Sequence, residues 1–245
     1  MKRSLLKDAL REIRRSMGRY LSIMAIVCLG VGFFAGVKAA GPDMITTAQT
    51  YYETSNLMDV HFQSTLGLTD DDVKAVQGLK NVNQTETGYT LDTIQSGEED
   101  MYVIRLISLP ETISLPRLIE GRFPENENEI VVENGAIISG EYAIGSTFTL
   151  SLDSDDILDS LKTDTFTVVG LIESPLYVTY KKGPSTLASG EVDLYGMVLP
   201  EAFCMDVYTD IYVTLQSTGQ LVFNSAMYKE TVTNFVDGLA QFESE

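Results

Sequence analysis

The hydrophobic and polar positions divide this chain into an apolar stretch near the amino terminus and a long remainder in which the two kinds alternate. From Tyr20 to Val37 there are eighteen residues without a charge, and nine of them are Leu, Ile, Val or Phe. A helix of this length rises about 27 Å, close to the hydrocarbon thickness of a bilayer. The stretch also lacks the polar stripe of a helix that packs on a soluble core. The pattern therefore favours a transmembrane helix over 20–40.

Two other interpretations of the apolar stretch stay open on the residues alone. Val37-Lys38-Ala39 resembles the cleavage site of an export signal. However, the charged lead before it is nineteen residues long, and the apolar run exceeds the roughly 7–15 residues of a signal peptide. A core helix of a soluble protein is the second alternative. We favour a retained span in the plasma membrane, with a cytoplasmic amino terminus and an extracytoplasmic bulk after Lys38.

The lead, residues 1–19, is predicted to form a basic amphipathic helix that lies on the inner leaflet as an elbow. Its apolar residues recur at a spacing of three to four and are Leu5, Leu6, Ala9, Leu10, Ile13 and Met17. Its seven basic and two acidic residues follow the positive-inside rule. The helix is either a simple anchor or a contact with a cytoplasmic partner. The candidate contact residues are Arg11, Arg14 and Arg15.

Small residues recur on one face of the predicted span. They are Cys28, Gly32, Gly36 and Ala40, and the two glycines form a GxxxG motif. Small side chains let a second membrane helix approach the backbone closely. Glycine is common in membrane helices for other reasons, so the motif has an alternative explanation without a partner. A partner helix would come from another copy or another chain, because the sequence contains no second apolar stretch of this length.

Beyond the span, the pattern predicts a stalk and then a domain of helices and strands. Residues 42–56 are expected to extend the span, with Pro42 at a tolerated first-turn position. Alternating apolar and polar residues predict a strand over 58–63. Thr69 and the three aspartates after it suit a helix N-terminus, so a short helix is expected through Leu79.

The later strands are predicted from alternating or continuous apolar runs. They are 82–94, 101–109, 129–133, 146–152, 165–173, 176–180, 193–199 and 210–216, with a helical turn at 201–205 before the last. Residues 222–245 then follow helical spacing, and no Gly or Pro ends that helix, so we expect more protein to follow. The apolar positions of this helix are Val232, Phe235, Val236, Leu239 and Phe242. Together these elements predict an α+β domain with a mixed or antiparallel sheet.

Charge and chemistry-bearing residues exclude several classes of function. The net charge is −18, and the chain after residue 19 carries 10 basic and 33 acidic residues, which would repel a nucleic acid. Cys28 and Cys204 would lie in different media, so no disulfide is expected. The only histidine, His61, has no nearby Ser, Cys or second His with which to form a dyad.

Neither a metal site nor a cofactor motif is recognisable. The aspartates between 153 and 164 lack the glycine and glutamate of a calcium loop. Phosphate-binding loops, HExxH and GxSxG do not occur. We therefore expect no catalytic residues, no cofactor and no metal. Lys181 and Lys182, the only basic doublet after the span, are either part of a solvated hairpin loop or a partner contact.

Three segments resemble, in order, parts of MacB-like and FtsX-like ABC permeases. Residues 117–152 carry an EGRFP…NEIVV…A…IGSTFTL series similar to the extracytoplasmic core domain, and DTFTVVGLIESPLYV is similar to the segment that continues it. The stretch LREIRRSMGRYLSIMAIVCLGVGFFAG resembles the elbow helix and first span. Gly121 and Gly145 would form turns beside the strands. Relatives often carry an acid where this chain has Ser146, a structural position.

The resemblance implies the amino-terminal part of a four-span permease. A separate or fused ABC ATPase would drive it, and helix motion would move the outer domain, a scheme called mechanotransmission. Residues 41–221 would be the core domain with its stalk, and 222–245 the start of an amphipathic, coiled-coil-like helix. The partners implied are the ATPase, the remaining permease spans or a second permease copy, and membrane lipid. A single-pass anchored binding or sensor domain without ATP coupling is the alternative.

Overall fold

A computed structural model describes residues 11, 14, 16–96, 101–135, 142–151, 157–188 and 190–242 of the chain. The chain forms two compact units, Met1–Thr50 and Tyr51–Glu245. We call the second the sheet unit. Its strands are β1 (Val60–Leu68), β2 (Val82–Gly88), β3 (Thr90–Ser96), β4 (Met101–Ser108), β5 (Arg117–Gly121), β6 (Glu129–Glu133), β7 (Thr147–Thr149), β8 (Thr165–Glu173), β9 (Leu194–Val198) and β10 (Tyr208–Leu215).

The predicted span and stalk form one helix, α1 (Met17–Thr54), of 38 residues. Part of it is long and apolar enough to cross a membrane, and its large apolar side chains over 20–37 are exposed. Pro42 lies inside this helix and removes one helical hydrogen bond without ending it. The hydroxyl of Thr46 donates to the Pro42 carbonyl at 3.0 Å, as threonines in helices commonly do. The stalk is therefore continuous with the apolar stretch.

A small antiparallel sheet, in the order β1-β10-β2, carries two α-helices, α2 (Asp70–Gln77) and α3 (Ala226–Phe242). The start of α2 confirms the predicted cap. The Thr69 backbone N–H donates to the Asp72 carboxylate at 2.7 Å, and the Thr69 hydroxyl accepts from the Asp72 backbone N–H. Val232 and Phe235 of α3 pack on the core of this sheet, and α3 begins at Ala226, four residues after the predicted start at 222.

A larger sheet follows the order β3-β4-β9-β6-β8-β5, with β7 also paired to β8. The pairs β4–β9 and β6–β8 are parallel and the others antiparallel, so the predicted mixed sheet is confirmed. Ile94 and Ser151 exchange two backbone hydrogen bonds of 2.7 Å, which join the chain after β7 to β3. The sheet thereby curls back on itself. Buried residues on its inner face include Ile104, Leu106, Phe166 and Leu194.

The strands with near-continuous apolar runs were predicted best. β6 and β8 have the predicted bounds, because residues of both faces are buried there, such as Val131 on one face and Val132 on the other. The single strand predicted over 82–94 is wrong. The chain leaves the small sheet after Gly88 and enters the large one at Thr90. Ser108 holds Tyr89, the residue between the two strands. The Ser108 hydroxyl accepts the Tyr89 backbone N–H, and the Ser108 backbone N–H donates to the Tyr89 carbonyl, each at 2.9 Å.

Two other predicted strands differ from the structure, and one strand was not predicted. No strand forms over 176–180, which belong to an irregular loop between β8 and β9. The strand predicted over 146–152 is reduced to β7. In contrast, β5 was missed, because it is short and exposed and pairs with β8 across a bulge between Leu118 and Glu120.

Candidate functional site

The last turn of α1 belongs to the sheet unit and packs against the segment that leads into α3. The rings of Tyr52 and Phe223 lie 4.3 Å apart, and those of Phe223 and Tyr228 lie 5.0 Å apart. Leu57 donates its backbone N–H to the Tyr52 carbonyl at 3.0 Å and so turns the chain out of the helix. These aromatic contacts tie the end of α1 to the start of α3.

Asp59 completes this junction. One carboxylate oxygen accepts the Leu215 backbone N–H and the Thr218 hydroxyl, and the other accepts the Tyr228 hydroxyl, each at 2.7 Å. Burial and the neighbouring Asp59 carboxylate raise the pKa of Tyr228, so its hydroxyl stays a donor. We call Tyr52, Asp59, Phe223 and Tyr228 the clasp. It connects the end of α1, the end of β10 and the start of α3.

A second set of contacts holds the residues just after α1. Asn56 takes a left-handed backbone conformation, with φ of 47°, which asparagine tolerates better than most residues. Its side-chain amide donates to the Thr112 carbonyl at 2.7 Å, and its own carbonyl accepts the Ser114 N–H at 2.8 Å. Glu86 of β2 accepts the backbone N–H groups of residues 111–113 at 2.5–3.0 Å. The end of the helix is thus fixed on both sides.

No local sequence pattern identified the clasp. Alternation alone placed Asp59 among the polar positions of a strand, and its Tyr228 partner lies 169 residues away. The signal available was weak: an aspartate just before a strand, and a tyrosine in the first turn of an amphipathic helix. The arrangement offers no nucleophile or acid–base pair. Its evident capacity is to hold three elements together.

The EGRFP…NEIVV series forms a closed turn between β5 and β6. The Arg122 guanidinium makes two hydrogen bonds, of 2.7 and 2.6 Å, to the carboxylate of Glu129. Glu129 also accepts the Glu125 backbone N–H at 2.8 Å. The Arg122 hydrogen bonds, followed by that backbone donor, hold the pKa of Glu129 well below its usual value. This motif therefore has a structural explanation.

The ion pair in this turn makes stability depend on pH. Because the pKa of Glu129 is lowered by folding, its contribution is complete above the ordinary carboxyl value of 4.5 and is lost as the pH falls below it. We expect Glu129→Gln to lower the urea midpoint at pH 7 and to flatten the decrease on acidification to pH 3. Tyrosine near-ultraviolet circular dichroism of the detergent-solubilised chain measures both.

The matched control is Glu127→Gln, because Glu127 pairs with Lys162 in a more exposed position. The control should keep the pH dependence of the unmodified chain. An unaltered acid slope in Glu129→Gln would contradict the explanation.

His61, for which the sequence offered no partner, lies 2.5 Å from the carboxylate of the fully buried Asp210. Its ring stacks on that of Tyr212 at 5.0 Å. Together with Arg105 and Tyr177 it lines a cavity of about 250 Å³, and no Ser or Cys is among the described residues that line it. Thr90 also lines this cavity, and the Asp–His pair connects β1 to β10.

The small residues predicted for helix packing all lie in α1 and are exposed: Cys28, Gly32, Gly36 and Ala40. A Cβ atom added at Gly32 or Gly36 would meet nothing within 4 Å in the described chain. Packing among the described residues of this chain does not account for these glycines. Arg11 and Arg14 are helical and exposed, whereas Arg15 lies outside the described residues.

The structure separates the two residues of the basic doublet. Lys181 is exposed, but the Lys182 side chain is only 7% exposed and its ammonium lies 3.0 Å from Glu133. Burial raises the pKa of Glu133, and the charge of Lys182 opposes this shift. Only Lys181 is thus presented to a partner.

The acidic cluster is described in part. Asp159 and Asp164 are described, whereas Asp153, Asp155 and Asp156 lie outside the described residues. In the part of the chain that the structure describes, no group of three or more His, Cys, Asp or Glu could hold a metal ion.

No protein-family model and no curated protein matches this chain. Solved structures do. The extracellular domain of the noncanonic ABC-type transporter YknZ from Gram-positive bacteria is 12% identical over 70% of this chain and 86% of that chain, with a TM-score of 0.40. The periplasmic region of MacB from Actinobacillus actinomycetemcomitans is 12% identical over 73% of this chain and 75% of that chain, with a TM-score of 0.36. A domain of a putative permease protein from Porphyromonas gingivalis is 14% identical over 63% of each chain, with a TM-score of 0.33.

Proposed function

We propose that this chain is the amino-terminal part of a MacB-like or FtsX-like ABC permease subunit, which converts ATP hydrolysis by a partner ATPase into motion of an extracytoplasmic domain. The observation that carries the proposal is α1. One helix contains an apolar stretch long enough to cross a membrane, and its last turn is built into the sheet unit. The sequence resemblance at the elbow, the span and the EGRFP series supports the same function.

A continuous helix suits such coupling for a physical reason. Its backbone is hydrogen-bonded along its length, so it transmits a displacement, whereas a flexible linker would absorb it. At its end the clasp holds Tyr52 and Asp59 against α3 and β10. A movement of α1 would then reach the sheet of the domain.

The proposed orientation follows from the charges. The basic lead carries Arg11 and Arg14 and would lie on the cytoplasmic leaflet, near the ATPase. The acidic remainder would lie outside the cell. The exposed small-residue face of α1 would pack against a remaining permease span or a second copy, and the rest of its apolar surface against lipid.

The small-residue face predicts the outcome of a crosslinking experiment. In a chain with Cys204→Ser, we expect Gly32→Leu with Gly36→Leu to lower oxidative crosslinking through Cys28, because leucine keeps a second backbone away. A loss of about 1.4 kcal/mol in association would lower the dimer yield about tenfold under dilute conditions.

Gly30→Leu is the matched control, since Gly30 lies off this face and an added Cβ there also meets nothing within 4 Å in the part of the chain that the structure describes. It should leave the crosslinking yield unchanged. An equal yield in the double variant would show that the face has no packing role.

Co-purification tests the proposed function against a single-pass sensor. The full-length protein should be purified from its native membrane with a tag at its amino terminus. Stable association with a nucleotide-binding subunit, together with crosslinking from Arg14→Cys to that subunit, is expected. A protein that purifies without an ATPase and retains its biological effect would overturn the proposal in favour of the sensor.

A further inference from the structure

We propose that the cavity of about 250 Å³ between the two sheets binds one neutral, hydroxylated ring, either a free monosaccharide or one unit of a glycan. We call it the inter-sheet cavity. Its lining includes His61 and Gln63 of β1, Arg105 of β4, Tyr212 of β10 and Tyr177 of the loop between β8 and β9. This inference goes beyond the proposed function, because it requires no ATP coupling.

The inter-sheet cavity presents polar groups but no unpaired charge. The Arg105 guanidinium is paired with Asp92 by hydrogen bonds of 2.6 and 2.8 Å, and His61 lies 2.5 Å from the buried Asp210. The described residues that line the cavity include no Asp or Glu. An ionic ligand would lose its hydration there without meeting an unpaired opposite charge. The cavity therefore favours a neutral ligand.

Two tyrosine hydroxyls supply hydrogen-bond donors. Tyr212 is 4% exposed, and burial, followed by the charge of Asp210, raises its pKa, so its hydroxyl keeps the proton. The hydrogen bond of Thr90 opposes this shift, as a bond donated to the Tyr212 oxygen does, and so leaves the Tyr212 hydrogen for another acceptor. Burial also raises the pKa of Tyr177. Arg105 has no acceptor atom, so it donates to the Tyr177 oxygen and leaves the Tyr177 hydrogen as well.

His61 supplies a hydrogen-bond acceptor. A carboxylate only accepts hydrogen bonds, so the Nε2 atom of His61, which lies against Asp210, carries a proton. In the neutral imidazole the other ring nitrogen, Nδ1, is then an acceptor. The side-chain amide of Gln63 adds both donors and an acceptor to the lining. The ligand of the inter-sheet cavity therefore has to donate hydrogen bonds as well as accept them.

A sugar ring meets these requirements better than other small ligands. Each of its hydroxyl groups both donates and accepts, whereas a carboxylate only accepts, an ammonium only donates, and an aromatic hydrocarbon does neither. The volume of the cavity corresponds to about eight waters at roughly 30 Å³ each, which suits one ring rather than a longer chain. Ile107 and Leu176 also line the cavity and offer apolar surface to the C–H groups of the ring.

Saturation-transfer NMR tests the inter-sheet cavity. The chain is solubilised in a detergent without a sugar head group and titrated with D-glucose, D-galactose, D-mannose, cellobiose and lactose. Sodium benzoate, an anionic ring without hydroxyl groups, is the comparison ligand. We expect at least one of the sugars to bind, and Tyr212→Phe to weaken its binding about tenfold, because one buried hydrogen bond is lost while the ring stays in place.

Two further variants control for effects on folding. Tyr177→Phe removes the second donor from a half-buried loop position and should also weaken binding, so the test does not depend on the stability of Tyr212→Phe. Tyr208→Phe removes a hydroxyl from the same strand, β10, but outside the cavity, where that hydroxyl bonds Asp70 at 3.4 Å. The affinity for the sugar should be unchanged in Tyr208→Phe.

The disaccharides distinguish the two sources of the sugar. A disaccharide that binds as tightly as its monosaccharide identifies the end of a glycan, whereas binding of the monosaccharide alone identifies a free sugar, and both results support the proposal. No saturation transfer to any sugar, tighter binding of benzoate than of every sugar, or equal sugar affinity in all three tyrosine variants would overturn it. Failure of ATPase co-purification would leave these expected results unchanged, so the two proposals are tested separately.

Discussion

Replacing Gly121 with alanine is expected to destabilise the sheet unit by about 2–5 kcal/mol, which combines the cost of a left-handed backbone with that of overpacking. Gly121 has φ of +80°, and a Cβ atom there would lie 2.3 Å from the Val169 carbonyl oxygen and 2.8 Å from the Gly170 Cα. Gly170 of β8 lies opposite Gly121 at the same close approach of the two strands, since a Cβ atom added at Gly170 would lie 2.5 Å from the Arg122 carbonyl oxygen. The β5 and β8 backbones can approach this closely only where both carry glycine.

Gly135→Ala separates the two causes. Gly135 has φ of +85°, but no atom of the described residues lies within 4 Å of an added Cβ, so it should cost only the backbone strain of about 1–2 kcal/mol. Urea unfolding of the detergent-solubilised chain, followed by tyrosine circular dichroism, compares the variants. Equal losses of unfolding free energy in Gly121→Ala and Gly135→Ala would show that the β5 and β8 backbones do not approach each other this closely at Gly121.

Replacing Asp59 with alanine is expected to cost about 2–3 kcal/mol and to release the start of α3 from β10, because three donors lose their acceptor. Those donors are the Leu215 N–H, the Thr218 hydroxyl and the Tyr228 hydroxyl. Tyr228→Phe removes one donor and keeps the ring against Phe223, so about 1 kcal/mol is expected. The exposed Asp237→Ala on α3 is the control and should be nearly neutral.

Asp59→Ala also has a functional consequence under the proposed mechanism. In the full permease with its ATPase, Asp59→Ala should keep the basal ATPase rate, since the spans are unchanged. It should abolish the nucleotide-dependent change in labelling of a cysteine placed at Val222, beside the clasp. Tyr228→Phe should give an intermediate response. A nucleotide response in Asp59→Ala equal to that of the parent protein would show that coupling does not pass through the clasp.

Much of the fold could be predicted from the residues because the relevant forces are local or periodic. The apolar stretch of α1 and the cap of α2 at Thr69 depend on neighbours within a turn. The strands β6 and β8 were predicted with their bounds because each is buried on both faces. The mixed character of the sheet followed from the order of strands and helices.

The candidate site was less accessible, and the predicted positions show why. The small face of α1 and the exposed Lys181 were identified from spacing and charge. Lys182 has the same charge and adjacent position, yet the structure directs it to Glu133 on β6. A sequence pattern shows that a lysine is polar. It does not show which buried carboxylate the loop will meet.

The apolar helix, its basic lead, the capped short helix and the buried strands could be recognised from the residues, since each is encoded within a short stretch of the chain. Three features became apparent in the folded chain alone: the change of sheets at Tyr89, the close approach of Gly121 to Gly170, and the clasp. These features depend on pairs far apart in the chain, such as Asp59 and Tyr228 at 169 residues' separation. Their energies arise when the two sheets and the two helix ends have already come together, and the local pattern around either partner contains no record of the other.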